Sequence, residues 1–464
     1  MVIAFHDRQQ ELASLRRAFD AGGAGLYILY GRRRLGKTTL LQRLAEEVRT
    51  VYHVADRMTE SDAIRMMAGS MAIALDEPTL AAAEYPDWYA LFATFDRVRP
   101  QVRMCLVLDE YQYLCEIQPA FSSMLQRWWD QHWSNQDLLV ILCGSVLSMM
   151  HKETMTHSSP LYGRRTGQCL LEPLCWQDTR PFFSGVSAAE SIRLWALTGG
   201  VPRYAELAAG CPDLETALRQ LVLQKDAPLY AEASLLLQEE VKSPNVYWSL
   251  LRTIASGANR LSEIAGRMKM SATRLTPYLA ALRDMRLVAR LTPVTEPHPD
   301  KSKRGIYTLT DNFLRLWFQC IAPYESLLEM GRVDAVMERI QEPLGNHLAW
   351  TFEKVVREHL ARHAADLGLF YVGRYWSKDC EFDAVGIDED RKPLLVAEAK
   401  WSANPVGMDV VDGLQQKTQE SWPQHRHSIR YALFAPGGFT EEVYGWADAN
   451  NGLLVGLEDL AAEG

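Results

Sequence analysis

Three stretches of the chain are apolar without a polar break, LYILY at 26–30, MCLVL at 104–108 and LLVILC at 138–143, and Gly31, Asp109 and Gly144 follow them directly. Short apolar runs that stop at such residues mark strands buried on both faces, as in a parallel sheet covered by helices. A fourth strand is expected at 51–54, and amphipathic helical stretches such as Thr38 to Val48 separate the strands. The alternation holds to about residue 210 and predicts an α/β domain with a doubly wound parallel sheet.

Downstream the pattern changes. A short apolar-periodic helix is expected at 246–256, and RLSEIAGRMKM and SATRLTPYLAALRDMRL then read as two helices joined by a tight turn. A strand VARL, a basic loop and a strand IYTL follow, which is the order of a winged helix-turn-helix with Ser271 as N-cap of its second helix. Pro277 lies about six residues into that helix and should kink it or delay its start. From about 345 the amphipathic NHLAWTFEKVVREHLARH leads into EFDAV, a turn IDEDRKP, and the buried-strand run LLVAEAKW. Three regions result: a core with helical lid at 1–210, a helical linker and winged helix at 211–335, and an α/β domain at 336–464.

The chemistry begins where the first strand ends. Gly31, Gly36, Lys37 and Thr38 fall in the spacing of a phosphate-binding loop, in which glycines let backbone N–H groups and a helix N-terminus face an anion. Lys37 is positioned to reach the β/γ-phosphates and Thr38 to ligate Mg²⁺, with Thr39 beside it in the nucleotide-binding set. The strand at 104–108 ends in Asp109 and Glu110, a Walker B pattern. There Asp109 holds the Mg²⁺ shell and Glu110 polarises the attacking water. Ser145, at the end of the strand 138–143, is a candidate γ-phosphate sensor. Arg164 and Arg165 in PLYGRRTG, and Arg203 in TGGVPRY, are candidates to neutralise transition-state charge, in cis or from a neighbouring subunit of a homo-oligomer.

Composition narrows the partners. The 464 residues, 48% hydrophobic and 23% charged, are those of a soluble protein of two to four domains. No apolar run is long enough to span a bilayer, and MVIAFHDRQQ is unlike a signal peptide, so a cytoplasmic protein without membrane contact is expected. Eight cysteines without a CxxC pair point to reduced thiols.

A net charge of −9 excludes a uniformly basic coat for nucleic acid. Arg260 to Arg304, however, hold ten Lys/Arg against four Asp/Glu, a local +6 that leaves the rest of the chain at −15. Duplex DNA is the expected partner there, with Arg274 nearest the base edges and Lys301, Lys303 and Arg304 on wing phosphates. Packing or dimerisation is the other use of such a module.

Near the C-terminus, Asp383 in one strand faces Glu398 and Lys400, two apart on one side of the next. An acid opposite Glu-x-Lys suits one or two Mg²⁺ ions that bind phosphate and lower the pKa of a water, with Lys400 orienting that water. Glu353 is a candidate further ligand. A solvated edge strand would show similar alternation.

In this order the motifs resemble those of the archaeal-type P-loop ATPases, found in archaea and bacteria, in the AAA-related group that includes signal-transduction NTPases. The motifs are Phe5, Arg8, Glu11 and Leu12, then GRRRLGKTTLL, LVLDEYQYL, GSVLSMM, LYGRRTG, TGGVPRY, the winged helix, YTLTDNFLRLWF, and EFDAV with VAEAKW. Such proteins end in a domain of unknown function similar to the PD-(D/E)xK, restriction-endonuclease-like nucleases. The resemblance implies ATP as nucleotide, Arg8 near the adenine, Glu110 as hydrolytic base, a sensor-like Arg203, and nuclease-type roles for Asp383, Glu398 and Lys400. Asp7 departs from the glycine usual before the arginine. The expected function is an Mg²⁺-dependent ATPase whose nucleotide state gates a metal-dependent DNA nuclease-like domain. The alternative is a non-cutting ATP-dependent switch whose C-terminal domain only binds nucleic acid or protein.

Overall fold

The computed structural model describes residues 8–145, 147–157, 159–241, 243–424 and 428–462; Phe5 and Asp7 lie outside them. The chain forms two compact units, Met1–Pro173 and Leu174–Gly464. The boundary thus falls ahead of residue 210, so Arg203 belongs to the second unit.

The first unit is built on five strands: β1 (Ala24–Tyr30), β2 (Thr50–Val54), β3 (Met104–Asp109), β4 (Leu138–Gly144) and β5 (Gly167–Leu170), in the order β2-β3-β4-β1-β5. All pairs are parallel. Every residue of β3 and β4 is buried, as their unbroken apolar runs require when helices cover both faces. On one face Leu26, Ile28, Leu106, Leu108, Val140 and Leu142 pack with Met67, Trp88 and Phe92. In-register pairing sets Tyr30 opposite Gly144 and Leu108 opposite Leu142, so the C-terminal ends of β1, β3 and β4 finish together. The expected strands are four of these five. Edge strand β5, sequence GQCL, is short and only half-buried, and carried no apolar signal.

In the second unit, helices Pro244–Ala255, Leu261–Met268 and Ala272–Asp284 precede an antiparallel pair, β6 (Val288–Leu291) and β7 (Ile306–Leu309). Ser271 caps the third helix by accepting from the Arg274 N–H, and that helix starts where the cap puts it, with no delay from Pro277. Leu275, Leu279 and Leu282 face inward, while Arg274, Thr276 and Pro277 are exposed.

A second sheet follows: β8 (Tyr371–Trp376), β9 (Glu381–Ile387), β10 (Pro393–Ala399), β11 (Arg430–Phe434) and β12 (Leu453–Val455), in the order β12-β11-β10-β9-β8. β8, β9 and β10 are antiparallel, and β10, β11 and β12 are parallel. The helix Gln341–Arg362 buries Phe352, Val355, Val356 and Leu360, and the helix Met408–Ser421 connects β10 to β11. Among the described residues no helix is long and apolar enough to cross a membrane.

Candidate functional site

The loop after β1 turns through left-handed backbone at Arg34 (φ 67°) and Gly36 (φ 87°) before the helix Lys37–Glu47 begins. Gly31 is required by close approach, since a Cβ there would lie 2.6 Å from the Leu171 carbonyl oxygen. The buried Lys37 Nζ lies inside the loop, donating to the carbonyls of Gly31 at 2.7 Å and Arg32 at 2.9 Å. Loop amides and a helix N-terminus around an ammonium form a cradle suited to phosphates.

Beside it, Asp109 ends β3 with its carboxylate almost fully buried. Its Oδ2 accepts from the Thr38 hydroxyl at 3.0 Å and from the Tyr52 hydroxyl at 2.6 Å. Burial, then the Asp109 charge, pushes the Tyr52 phenol well above its ordinary pKa, so it stays a donor. Thr38 and Asp109 are adjacent hard-oxygen donors, the kind Mg²⁺ takes. Glu110 follows in left-handed backbone at φ 53°, which turns its side chain toward β4. There the Ser145 hydroxyl donates to Glu110 Oε2 at 2.8 Å, and the Gln112 amide donates to the same oxygen and, at 3.3 Å, to Ser145. Arg33 Nε reaches Ser145 at 3.4 Å, and Arg33 Nη2 reaches the Tyr113 hydroxyl at 2.5 Å. Strand ends thus bring Gly31, Gly36, Lys37, Thr38, Asp109, Glu110 and Ser145 into one place, with Thr39 in the first turn of the helix.

The arginines are distributed differently. Arg8 is buried in left-handed backbone (φ 75°) and donates to Glu11 at 2.9 Å and to the carbonyls of Glu172 at 2.6 Å and Leu35 at 3.4 Å. It ties the loop after β1, at Leu35, to the segment after β5, at Glu172. Arg164 forks onto Asp130 at 2.7 and 2.8 Å, which removes it from the set of free arginines. Arg165 is half-buried, and Arg203 pairs with Glu206 at 3.1 Å.

In the second unit the β9–β10 register sets Ala384 opposite Ala397, with Asp383 and Glu398 next along. Asp383 Oδ2 accepts from the Ala399 N–H at 2.9 Å. Burial first, then the charges of Glu353 and Glu398, raise its pKa to about 7. Glu398 is buried and bridged by Lys400 at 2.7 Å and Lys417 at 3.3 Å. Its bond to Glu398 helps hold the Lys400 ammonium charged, against the opposing effect of burial. Glu353 differs from expectation: its carboxylate lies against Arg357 at 3.4 Å and Arg374 at 3.8 Å, so two cations compete for it. Among the described residues no three His, Cys, Asp or Glu side chains meet as a metal cage. Asp383 and Glu398 remain as a two-carboxylate pair, a number with which Mg²⁺ is bound where phosphate and water complete its shell.

The basic module is likewise modified by its contacts. Arg274, Lys301 and Lys303 are exposed. Arg304 is exposed too, and in addition it donates to the Trp376 carbonyl and lies 5.5 Å over the Tyr375 ring, which ties it to β8.

Residues 5–207 match the family described as an ATPase domain predominantly from Archaea, and residues 317–417 match archaeal and bacterial proteins of unknown function. An uncharacterized protein of Methanocaldococcus jannaschii is 31% identical over 402 residues, 86% of this chain and 87% of its own. The chain belongs to this archaeal-type ATPase family. A shorter relative from the same organism, an uncharacterized ATP-binding protein, is 44% identical over 45 residues, 10% of this chain and 76% of its own. Among solved structures, the Walker-type ATPase of Pyrococcus abyssi shares the fold, with TM-score 0.52 and 20% identity over 68% of this chain and 96% of that one. The five-stranded parallel sheet is that of a P-loop ATPase.

Several side chains of the two sites carry no motif of their own. Tyr52 comes from the neighbouring strand, Arg33 from inside the loop, and Lys417 from a helix 19 residues beyond Glu398. Gln112 alone had a local signal, two positions after Glu110 at the start of a helix.

Proposed function

We propose that this family member is an Mg²⁺-dependent ATP hydrolase whose nucleotide state gates a C-terminal, restriction-endonuclease-like nuclease domain, with the three helices and the β6–β7 pair acting as a winged helix that contacts duplex DNA. The observation that carries the hydrolase reading is the set Lys37, Thr38, Asp109, Glu110 and Ser145 at adjoining strand ends. When bound, ATP supplies the phosphoryl group to be transferred and Mg²⁺ offsets its charge. Lys37 exchanges the Gly31 and Arg32 carbonyls for phosphate oxygens. Asp109, steadied by Tyr52, presents an oxygen beside Thr38. Glu110 orients a water and accepts its proton, while Ser145 and Gln112 fix which carboxylate oxygen faces that water.

For the C-terminal domain, the support is the meeting of Asp383, Glu398 and Lys400 on adjacent strands. The raised Asp383 pKa comes first from burial and then from the charges of Glu353 and Glu398, and a divalent cation would offset both effects. Asp383 and Glu398 hold the metal, and Lys400 orients the attacking water. The two lysines bridging Glu398 favour a second reading, a non-cutting ATP-dependent switch whose C-terminal domain binds nucleic acid or protein.

Supercoiled plasmid incubated with the full chain, Mg²⁺ and ATP separates the two. The nuclease reading expects nicking that Asp383→Ala and Glu398→Ala abolish with loss of metal binding, whereas Lys400→Ala loses rate while retaining metal. ATP turnover should survive all three. Turnover without cleavage of any DNA form, at any nucleotide condition, leaves the switch.

A further inference from the structure

Within the second unit, the helix Pro244–Ala255, strand β7 and the segment 374–381 enclose a cleft of about 890 Å³ that lies outside both sites above. Its volume is in the range of small-molecule sites. Its charge is one-sided: Arg252, Arg260, Arg315, Arg374 and Lys378 line it against Asp379 and Glu381. Of the cations, Arg374 is paired with Glu381. Arg315 is held by Gln319 at 2.5 Å and lies 4.6 Å over the Trp350 ring, with no carboxylate partner among the described residues.

Two guanidinium groups that line the cleft are incompletely hydrogen-bonded. Among the described residues, the Nε atoms of Arg315 and Arg374 are buried without a hydrogen-bond partner. A guanidinium N–H taken from water and given no acceptor is costly, and an oxyanion in the cleft offsets the charge of these groups without reaching the buried Nε atoms. Burial, which outweighs its neighbours, brings the Arg315 pKa down to about 10, the direction expected where a counter-anion is missing. Ser256, Asn259 and Ser377 add small polar groups, and Tyr307, Phe318 and Trp376 supply apolar walls.

We propose that this cleft binds a small phosphate-bearing anion, independently of the phosphate loop. Its walls are already braced for a ligand that joins them: the Val294 N–H donates to the Arg374 carbonyl at 2.8 Å, and Trp376 Nε1 donates to the Arg304 carbonyl at 3.2 Å. A bound phosphate pairs with Arg315 and with Arg252 or Arg260, and so joins the helix Asn312–Leu316 to the helices Pro244–Ala255 and Leu261–Met268. Free nucleotides and inorganic pyrophosphate share this chemistry, and the walls determine whether a nucleoside adds to it.

The test uses the full chain carrying Lys37→Ala, so that the phosphate loop is disabled, and calorimetric titration with ADP or pyrophosphate in the absence of Mg²⁺. One site per chain is expected. Arg252→Ala with Arg260→Ala, both on exposed side chains, should weaken it at least tenfold, and Arg315→Lys, which keeps the charge but loses the fork, should also weaken it. Tighter ADP than pyrophosphate assigns a nucleotide, and equal affinities assign an inorganic anion. In the Lys37 wild-type background the Arg252→Ala and Arg260→Ala chain should hydrolyse ATP normally. Absence of binding at millimolar ligand, binding indifferent to the arginines, or binding of a short DNA duplex but of neither small anion overturns the proposal.

Discussion

Glu110 is the residue at which local strain and the proposed chemistry meet. A non-glycine side chain in left-handed backbone costs about 1–3 kcal/mol, and the hydrogen bonds from Ser145 and Gln112 hold it there. On the proposed mechanism Lys37 contacts phosphate in the ground state and Glu110 acts on the nucleophile, so their losses should separate. Lys37→Ala should weaken ATP binding at least tenfold, on the order of 1.4 kcal/mol or more. Glu110→Gln should keep the dissociation constant within a few-fold and lower kcat by roughly 10²–10⁴, since an amide preserves the hydrogen bonds to Ser145 and Gln112 but takes no proton. Equilibrium binding and single-turnover hydrolysis check the split; equal loss of binding in both variants would contradict the roles. The places of these two residues were legible because Lys37 lies in a contiguous turn with spacing fixed by the backbone, and Glu110 follows an unbroken apolar run that marks the end of β3. Tyr52 and Lys417 were not legible, since their contacts depend on strand order and helix placement that no local spacing encodes, and Arg33 lay within the loop motif without a role assigned to it.

At the scale of elements, apolar runs identified β1 to β4 because both faces of a covered parallel sheet exclude water. They missed β5, whose half-exposed GQCL is defined by pairing with β1 and not by burial. The cap at Ser271 outweighed Pro277 in setting where its helix starts, and the ring is accommodated on the exposed side. It still removes an N–H from the helix, so Pro277→Ala should stabilise the protein by about 1–3 kcal/mol, less whatever flexibility alanine returns to the unfolded chain. An upward shift in the urea midpoint at unchanged slope is the expected result, and a downward shift would mean the ring makes a contact that matters. The helix Gln341–Arg362 carries a second test. His347 is fully buried, with Nε2 2.9 Å from the Ala196 carbonyl, and burial first, then Arg315, lowers its pKa to about 3. The folded pKa is below the unfolded value of about 6.5, so the native state favours the neutral ring. That stability is fully present above pH 6.5 and is lost as pH falls toward 3, at no more than about 1.4 kcal/mol per pH unit. Unfolding followed across this window should be steeper in the wild type than in His347→Gln, and identical slopes would remove His347 from the acid response.

For the molecule as a whole, the uneven charge is the feature that decides how DNA would be met. A chain of net −9 repels a polyanion at long range, and the +6 segment from Arg260 to Arg304 must act locally. Composition located that segment, but charge counting could not tell which cations remain free after folding. Their contacts divide them: Lys301, Lys303 and Arg304 are all exposed, but Arg304 is also joined to Trp376 and Tyr375. Removing one lysine that pairs with a phosphate should lower the slope of log affinity against log salt by about 0.9, so Lys301→Ala with Lys303→Ala should reduce it by about 1.8 and weaken binding alike across sequences. Arg304→Ala should leave the slope nearly unchanged and lower the stability of the second unit instead, because it removes the carbonyl and ring interactions that link the β6–β7 loop to β8. Arg274→Ala, on the exposed face of the capped helix, should alter discrimination between duplex sequences more than it alters the slope. Fluorescence anisotropy over a salt series, paired with urea unfolding, reads all three. If Arg304→Ala lowers the slope as the lysine changes do, its guanidinium reaches phosphate after all. If wild-type protein binds no duplex at low salt, the helices and wing are a packing module and the basic surface faces the acidic remainder of the chain.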